Sequence, residues 1–275
     1  MIVREGGRIG EKEIMKLPGA NLQLGAFTER DDTDLTEFGV KFGVDIISVS
    51  FTRKRDEIDY VRDLLDRTDA LTDKKHMQIF AKIENLEGLN NYEEILAVAD
   101  GVIISRADLE QELPSDKMFL AQKWMIEKSN LAAKPVIVSG MMLDSMTERD
   151  RPDWRDCEDI SIAVSDGVDT VLLSDTASNG KYGIEALNTI GVCCAEAERV
   201  INPKVILENY KAITSKRAPS DDSLAAAAIN SVTNVENEIE LIICVTRTGN
   251  LARLLSKYRP SVSVLTFSND EVVLR

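Results

Sequence analysis

The sequence predicts an α/β fold in which a parallel sheet is covered by helices and followed by a second, smaller α/β segment. Three observations predict it. Short runs rich in β-branched residues start at positions 45, 77, 101, 135 and 169, hence 24 to 34 residues apart, the size of a βα repeat. The stretches between these runs carry apolar residues at helical spacing. A polar, proline-bearing stretch at 202–222 then precedes a further helix, strand, helix and strand. Near-continuous apolar strands alternating with helices require a parallel sheet with covered faces, either a (β/α) barrel or a doubly wound sheet.

The elements follow in order. Acidic Glu29 to Asp34 reads as the solvated start of a helix, continued by Leu35, Phe38 and Phe42 at i, i+3 and i+7. Asp45 to Phe51 is the first strand, and Ile58, Val61 and Leu65 mark the buried face of the helix after it. Met77 to Ile83 and Gly101 to Ser105 are the next two strands. Pro114 suits a first helical turn, where its missing N–H costs nothing, and Met118, Ala121, Trp124 and Met125 line one face of the helix that follows. Pro135 to Ser139 and Asp169 to Ser174 complete the five strands. Cys193 and Cys194 fall on an apolar helix with Ile190, Val192 and Ala195 and read as core. Beyond the polar stretch come a helix at Leu224 to Val232, a strand at Leu241 to Val245, a helix from Asn250 and a strand at Ser263 to Phe267.

Composition excludes several classes. With 44% hydrophobic residues and 275 residues in all, the chain can bury one large core or two smaller ones. No apolar run approaches the roughly 20 residues of a membrane span, and the first residues lack the apolar core of a signal peptide. Thirty-three basic against 47 acidic residues give a net charge of −14, which argues against nucleic acid as a partner. Four cysteines without zinc spacing read as reduced thiols of a cytoplasmic protein. The single histidine, His76, rules out a His-rich metal site.

Ligands of parallel α/β folds bind at the carboxyl ends of the strands. The second strand ends in Lys82-Ile83-Glu84-Asn85, and residues two apart in a strand share a face, so Lys82 and Glu84 point the same way. The third ends in Ser105-Arg106-Ala107-Asp108. If the strands are neighbours, Glu84 and Asp108 converge as hard oxygen donors suited to Mg²⁺, with Lys82 beside them to hold a phosphoryl group. The competing reading is a structural ion pair. The fourth strand ends at Ser139-Gly140, and the fifth runs into the polar loop Ser174 to Gly180, which reads as a solvated turn. Thr246-Arg247-Thr248-Gly249, between a strand and a helix, is either a phosphate cradle or an ordinary helix cap formed by Thr248.

Several motifs, in order along nearly the whole chain, resemble those of pyruvate kinase. They are Leu17-Pro18-Gly19, Ser50-Phe51-Thr52-Arg53-Lys54, Lys82-Ile83-Glu84-Asn85, Ser105-Arg106-Ala107-Asp108-Leu109, Phe119 to Lys123 (FLAQK), Met142 to Met146 (MLDSM), Arg151-Pro152 and Tyr258-Arg259-Pro260. The resemblance implies a TIM-type (β/α)8 barrel with an inserted lid and a C-terminal α/β domain. Here about five βα units of the barrel, its fourth to eighth, and part of the C-terminal domain are expected. The implied divisions are 1–20 for the end of the lid and return to the barrel, 21–201 for the partial barrel, 202–222 for a connection and 223–275 for the partial C-terminal domain. The implied reaction is glycolytic: phosphoryl transfer from phosphoenolpyruvate to ADP, giving pyruvate and ATP, with Mg²⁺ and K⁺.

By resemblance Lys82 stabilises the transferring group, Glu84 and Asp108 ligate Mg²⁺, and the backbone at Ala107 and Asp108 holds the substrate carboxylate. Gly140 stands where the family has a substrate-contacting threonine, and Ala107 where it has glycine. Thr246, Arg247, Thr248 and Gly249 line the position of a sugar-phosphate effector pocket, and Asn250 and Leu251 replace an arginine and a hydroxyl there. The K⁺ ligands belong to the first three barrel strands, which have no counterpart here. Five strands of a barrel leave two open edges, so either a homo-oligomer or a partner chain covers them, the sheet rearranges, or this is an incomplete version of a longer product. Turnover by this chain alone is not expected, and the alternative reading is a non-catalytic paralogue, a pseudoenzyme acting as an assembly partner.

Overall fold

A computed structural model describes residues 6–7, 10–11, 25–72, 77–213, 220–234 and 239–274. The Leu17-Pro18-Gly19 motif, most of the 1–20 segment and His76 lie outside these residues. The five sequence-predicted strands form one sheet: β1 (Ile46–Val49), β2 (Gln78–Ile83), β3 (Gly101–Ser105), β4 (Val136–Ser139) and β5 (Thr170–Leu172). They pair in chain order, every neighbour parallel. Parallel neighbours need a crossover, and each is made by a helical segment that packs back on the sheet.

Register sorts the side chains onto two faces. Ile79, Ala81 and Ile83 of β2, Val102 and Ile104 of β3, and Val136 and Val138 of β4 share one face and are almost fully buried. Ile58, Val61 and Leu65 of the helix Arg55–Thr72, Ile95 of Tyr92–Val98, Met125 and Ile126 of Ser115–Leu131 and Ile160 of Trp154–Asp166 join them in the same core. Each such Val, Leu, Ile or Met side chain contributes about 1.5–3 kcal/mol on burial, so this layer dominates stability. The opposite face carries Phe80 and Lys82, Ile103 and Ser105, Ile137 and Ser139. It is the face on which polar residues sit at the strand ends.

Aspartates at the amino ends tie the strands together. Asp100 Oδ2 accepts from the Ile79 N–H at 2.9 Å and pairs with Arg62 at 2.5 Å. Asp169 Oδ2 accepts from the Val136 N–H at 2.9 Å, while its Oδ1 takes a 2.7 Å bond from Arg259, far along the chain.

Some helical expectations shift. Thr28 and Asp31 form a capping box for Glu29–Thr33, as an acidic helix start should, but the helix then widens into a π-type segment, Asp34–Val40. The wider winding breaks the 3.6-residue phase, so Leu35 packs on the core while Phe38 and Phe42 are exposed. In Ser115–Leu131 the buried side is carried by Gln122, Met125, Ile126, Ser129 and Asn130. Trp124 sits beside it, tilted 5.2 Å from the Tyr92 ring. Tyr92 explains the polar choice at 129: its buried hydroxyl donates to Met125 O at 2.9 Å and meets Ser129 Oγ at 2.6 Å.

The later segment forms a second core. Helices Pro203–Ile213, Ser220–Asn234 and Asn250–Lys257 pack with the parallel pair β6 (Leu241–Val245) and β7 (Ser263–Phe267). Within 202–222, residues 203–213 are helical and 220–222 open the next helix, and Leu207 joins this core. At the centre lies an ion pair, Lys257 Nζ to Asp222 Oδ2 at 3.1 Å, with side chains 3% and 7% exposed. Tyr258 donates to Asp222 Oδ1 at 2.9 Å, and the ammonium lies 5.3 Å from the Tyr258 ring centroid and 6.0 Å from that of Tyr210. Burial pushes the Tyr258 hydroxyl up, and the Asp222 charge adds to it. Asp222→Ala should strand a buried ammonium and a phenol, lowering the urea-unfolding free energy by about 3 kcal/mol or more. Replacing both charges, as Asp222→Leu with Lys257→Met, should recover most of that loss.

Candidate active site

The carboxyl ends of β1 to β4 meet on the polar face of the sheet. β2 ends in Lys82 and Glu84, two residues apart and on one side, and Lys82 Nζ lies 2.7 Å from Glu84 Oε1. The other carboxylate oxygen, Oε2, accepts the Phe51 N–H at 2.5 Å. That N–H points at Glu84 because Phe51 turns back with φ of 52°, a conformation that non-glycine residues pay strain to adopt. The loop around it is fixed at both ends. Thr52 N–H bonds to Lys82 O at 3.2 Å, and its buried hydroxyl donates to Val49 O at 2.9 Å. Thr52 O comes so close to residue 88 that a Cβ there would lie 2.3 Å away, which makes glycine necessary.

Glu84 is the most deeply sequestered charge here, its side chain 2% exposed. Burial pushes its carboxyl above the usual carboxylate range. Hydrogen bonds from Lys82 and the Phe51 N–H pull it back, and the Asp108 charge adds to the upward push. Asp108 therefore lies within electrostatic range of Glu84. It is set by the short helix Arg106–Leu109 that opens directly off β3, and Ser105 Oγ donates to its Oδ2 at 2.7 Å.

Arg106 turns toward the next strand end. Its Nε and Nη2 donate to Gly140 O at 3.2 and 3.1 Å, and Nη2 also reaches Met141 O at 3.3 Å and Asp159 Oδ2 at 3.2 Å. The loop it holds is strained: Gly140, Met141 and Leu143 have φ of 84°, 58° and 59°.

The structure thus brings together Lys82, Glu84, Ala107, Asp108 and Gly140 from three strand ends. It does not bring Thr246, Arg247, Thr248 and Gly249 to them, since these follow β6 on the other sheet. There the Gly249 N–H bonds to Thr246 Oγ1 at 3.1 Å and the Asn250 N–H to Thr248 Oγ1 at 3.4 Å. Gly249 takes the cap position of Asn250–Lys257 in the left-handed region, without a side-chain bond, so Thr248 supports the turn from one residue further out. The Ser174 to Gly180 loop is a short helix, Asp175–Ser178, capped by Ser174 Oγ on the Ala177 N–H at 3.3 Å. Sequence reasoning missed the Phe51 N–H and the Arg106 clamp. A backbone conformation leaves no mark in the letters except the Ser50 to Lys54 motif itself, and a clamp on another strand's carbonyls is a tertiary contact.

Among the described residues, no cluster of three or more His, Cys, Asp or Glu side chains could hold a metal ion unaided. Glu84 and Asp108 are two carboxylates in mutual electrostatic range. That suits Mg²⁺, which takes one or two protein carboxylates and draws its remaining oxygens from water and phosphate.

Fold and site together define a parallel α/β protein with its polar groups at the carboxyl ends of the strands, followed by a second α/β unit. Residues 1–187 match the family described as pyruvate kinase, barrel domain, and residues 222–275 match pyruvate kinase, alpha/beta domain. A pyruvate kinase of Eimeria tenella is 38% identical over 267 residues, covering 97% of this chain and 49% of the relative. One of Dictyostelium discoideum is 38% identical over 270 residues, covering 97% and 52%. The crystal structure of a pyruvate kinase from Cryptosporidium parvum superposes with a TM-score of 0.89 at 35% identity, over 94% of this chain and 53% of that one. A structure of the Cryptosporidium parvum enzyme in complex with ADP gives 0.86, again at 35% identity, over 94% and 51%. The chain belongs to the pyruvate kinase family. It spans about half the length of the curated relatives it matches.

Because Lys82 is the nearest cation to a nearly fully buried carboxylate, Lys82→Met should destabilise the fold by about 3 kcal/mol. The double variant Lys82→Met with Glu84→Gln should recover much of it. Thermal melts of the two read this directly, and equal losses in both would show that the pair is not coupled.

Proposed function

We propose that this site serves phosphoryl transfer from phosphoenolpyruvate to ADP, giving pyruvate and ATP. The carrying observation is the convergence of Lys82, Glu84 and Asp108 at neighbouring strand ends in a chain of this family. In this reading the Lys82 ammonium, 2.7 Å from Glu84 and partly exposed, neutralises charge on the transferring group. Glu84 and Asp108 are the residues that would hold Mg²⁺, which would supply positive charge to offset that of the phosphoryl group. Backbone N–H groups at Ala107 and Asp108, at the start of the Arg106–Leu109 helix, face the substrate carboxylate. K⁺ belongs to the family reading through residues this chain does not match. The effector pocket at Thr246, Arg247, Thr248 and Gly249, the division of the chain at 20, 201 and 222, and a cytoplasmic location rest on the same family reading. No described helix is long and apolar enough to cross a membrane.

In this reading the site works in an assembly. Among the described residues β1 and β5 each have one unpaired edge, and Ile46 of β1 and Leu172 of β5 are about half exposed. Unpaired parallel edges call for cover, from a second copy, a partner chain or further sequence of a longer protein. A second reading, a non-catalytic paralogue serving as an assembly partner, is favoured by Gly140, which has no side chain to offer the substrate.

Two measurements separate the readings. Phosphoenolpyruvate with Mg²⁺ should raise the melting temperature of the wild-type chain by about 2 °C or more at saturating ligand, and should leave Glu84→Gln unmoved. Absence of any Mg²⁺-dependent shift in folded protein would select the non-catalytic paralogue. A coupled assay with ADP, Mg²⁺ and K⁺ should give no turnover above a folded Lys82→Met blank for the chain alone. Turnover that disappears in the blank would instead show that the open edges do not prevent catalysis.

A further inference from the structure

Two sequence departures at the site, alanine at 107 and glycine at 140, face each other across the ends of β3 and β4. A Cβ added to Gly140 would lie 2.9 Å from Ala107 N and 3.1 Å from the Ala107 methyl. The first distance is one that real Cβ atoms essentially never show, and its partner is backbone. The second is the methyl that a glycine at 107 would not carry. The space a side chain at 140 would need is therefore taken by residue 107.

The neighbouring arginine holds the two in this relation. Arg106 is almost buried, and its guanidinium gives N–H groups to Gly140 O, Met141 O and the Asp159 carboxylate while touching Met142 Sδ at 3.7 Å. It thereby joins the end of β3, the loop after β4 and the helix Trp154–Asp166. Ser139 Oγ adds a bond to Ile104 O at 3.3 Å one residue before the loop. The loop cannot move away from Ala107 without breaking these bonds. Met142, fully buried, anchors its far side.

We propose that Arg106, Ala107 and Gly140 form one compensated unit: Arg106 is a positioning residue that presses the 140–143 loop against residue 107, and residue 107, by its backbone N and its methyl together, bars residue 140 from contributing a side chain to the site. The two departures are then coupled: the methyl at 107 adds to a crowding at 140 that the backbone N of residue 107 already imposes, so removing it eases the cost of a side chain at 140 without abolishing it. The consequence for specificity rests on the reading of this cleft as the phosphoryl-transfer site. The packing itself does not, and its test needs no turnover.

The test is a cycle of four proteins: wild type, Gly140→Ala, Ala107→Gly and the double variant. Gly140→Ala should lower the melting temperature by about 4–8 °C, from overpacking and backbone strain together. In the Ala107→Gly background the same substitution should cost no more than about half of that. If Gly140→Ala does not fold, recovery of a cooperative melt in the double variant is the expected result. An equal fall in both backgrounds, or failure of both to fold, would overturn the coupling and leave the left-handed backbone at 140 as the whole explanation. Arg106→Gln should speed amide hydrogen exchange at residues 141–143 by roughly tenfold or more with no change in β6, and Arg106→Lys should restore part of the protection. Exchange unchanged at 141–143, or raised equally in β6, would remove Arg106 from its positioning role.

Discussion

A parallel strand cannot be reached from its neighbour by a tight turn, and the whole molecule follows from that constraint. The chain must cross over after every strand, so a helix accompanies each one and the sheet's helix-facing side becomes a continuous apolar layer. All five strands then run the same way, and all their carboxyl ends open at one rim. Register fixes the levels: Val49 lies beside Ala81, Ile83 beside Ile104, and Ser105 beside Ser139. Lys82, Glu84, Asp108 and Gly140 come from segments far apart in sequence, yet none had to be gathered by a special device. The ladder delivers them to the same place.

Delivery to one rim creates an electrostatic problem that local structure answers. A carboxylate as buried as Glu84 is costly unless charge and hydrogen bonds compensate. Lys82 supplies the charge from the same strand, and Phe51 supplies a backbone N–H from the turn after the neighbouring strand, at the expense of a left-handed residue. The next junction is handled alike. Arg106 is almost buried, Asp159 partners it, and the remaining donors go to carbonyls of a loop with three residues at positive φ. Strain of this kind persists where surrounding bonds over-determine it, and here it clusters at the strand ends rather than in the sheet. The second core repeats the logic: Lys257, Asp222 and Tyr258 satisfy one another beside the Tyr210 ring.

The same constraint leaves surfaces uncovered. Among the described residues, β1 and β5 each keep one unpaired edge, and the β6–β7 pair leaves one face bare, with Ile243 and Val245 at 63% and 77% exposure. Exposed apolar residues gathered beside unpaired backbone are a liability that proteins manage by covering them. Glu84, by contrast, already has its compensating partners within the chain.

Much of this was legible in the letters. All five strands stand where β-branched runs placed them, Gly101–Ser105 at its full length and the other four trimmed by one to three residues, because side-chain alternation and branching are local properties. The pairing of Lys82 with Glu84 followed from the two-residue period of a strand, and the nearness of Asp108 from the expectation that successive strands are neighbours. The helix face with Phe38 and Phe42 was misjudged, since a π-type turn changes the angular step without changing the composition. What tertiary structure alone decided was how the pieces close on one another. That Phe51 offers its N–H to Glu84, that Arg106 reaches two carbonyls on the next loop, and that the methyl of Ala107 fills the space beside Gly140 all depend on distances between separate strands. Sequence determines which residues stand at each strand end through local periodicity. Only packing determines which of them touch, because contact is set by the three-dimensional register of the whole sheet.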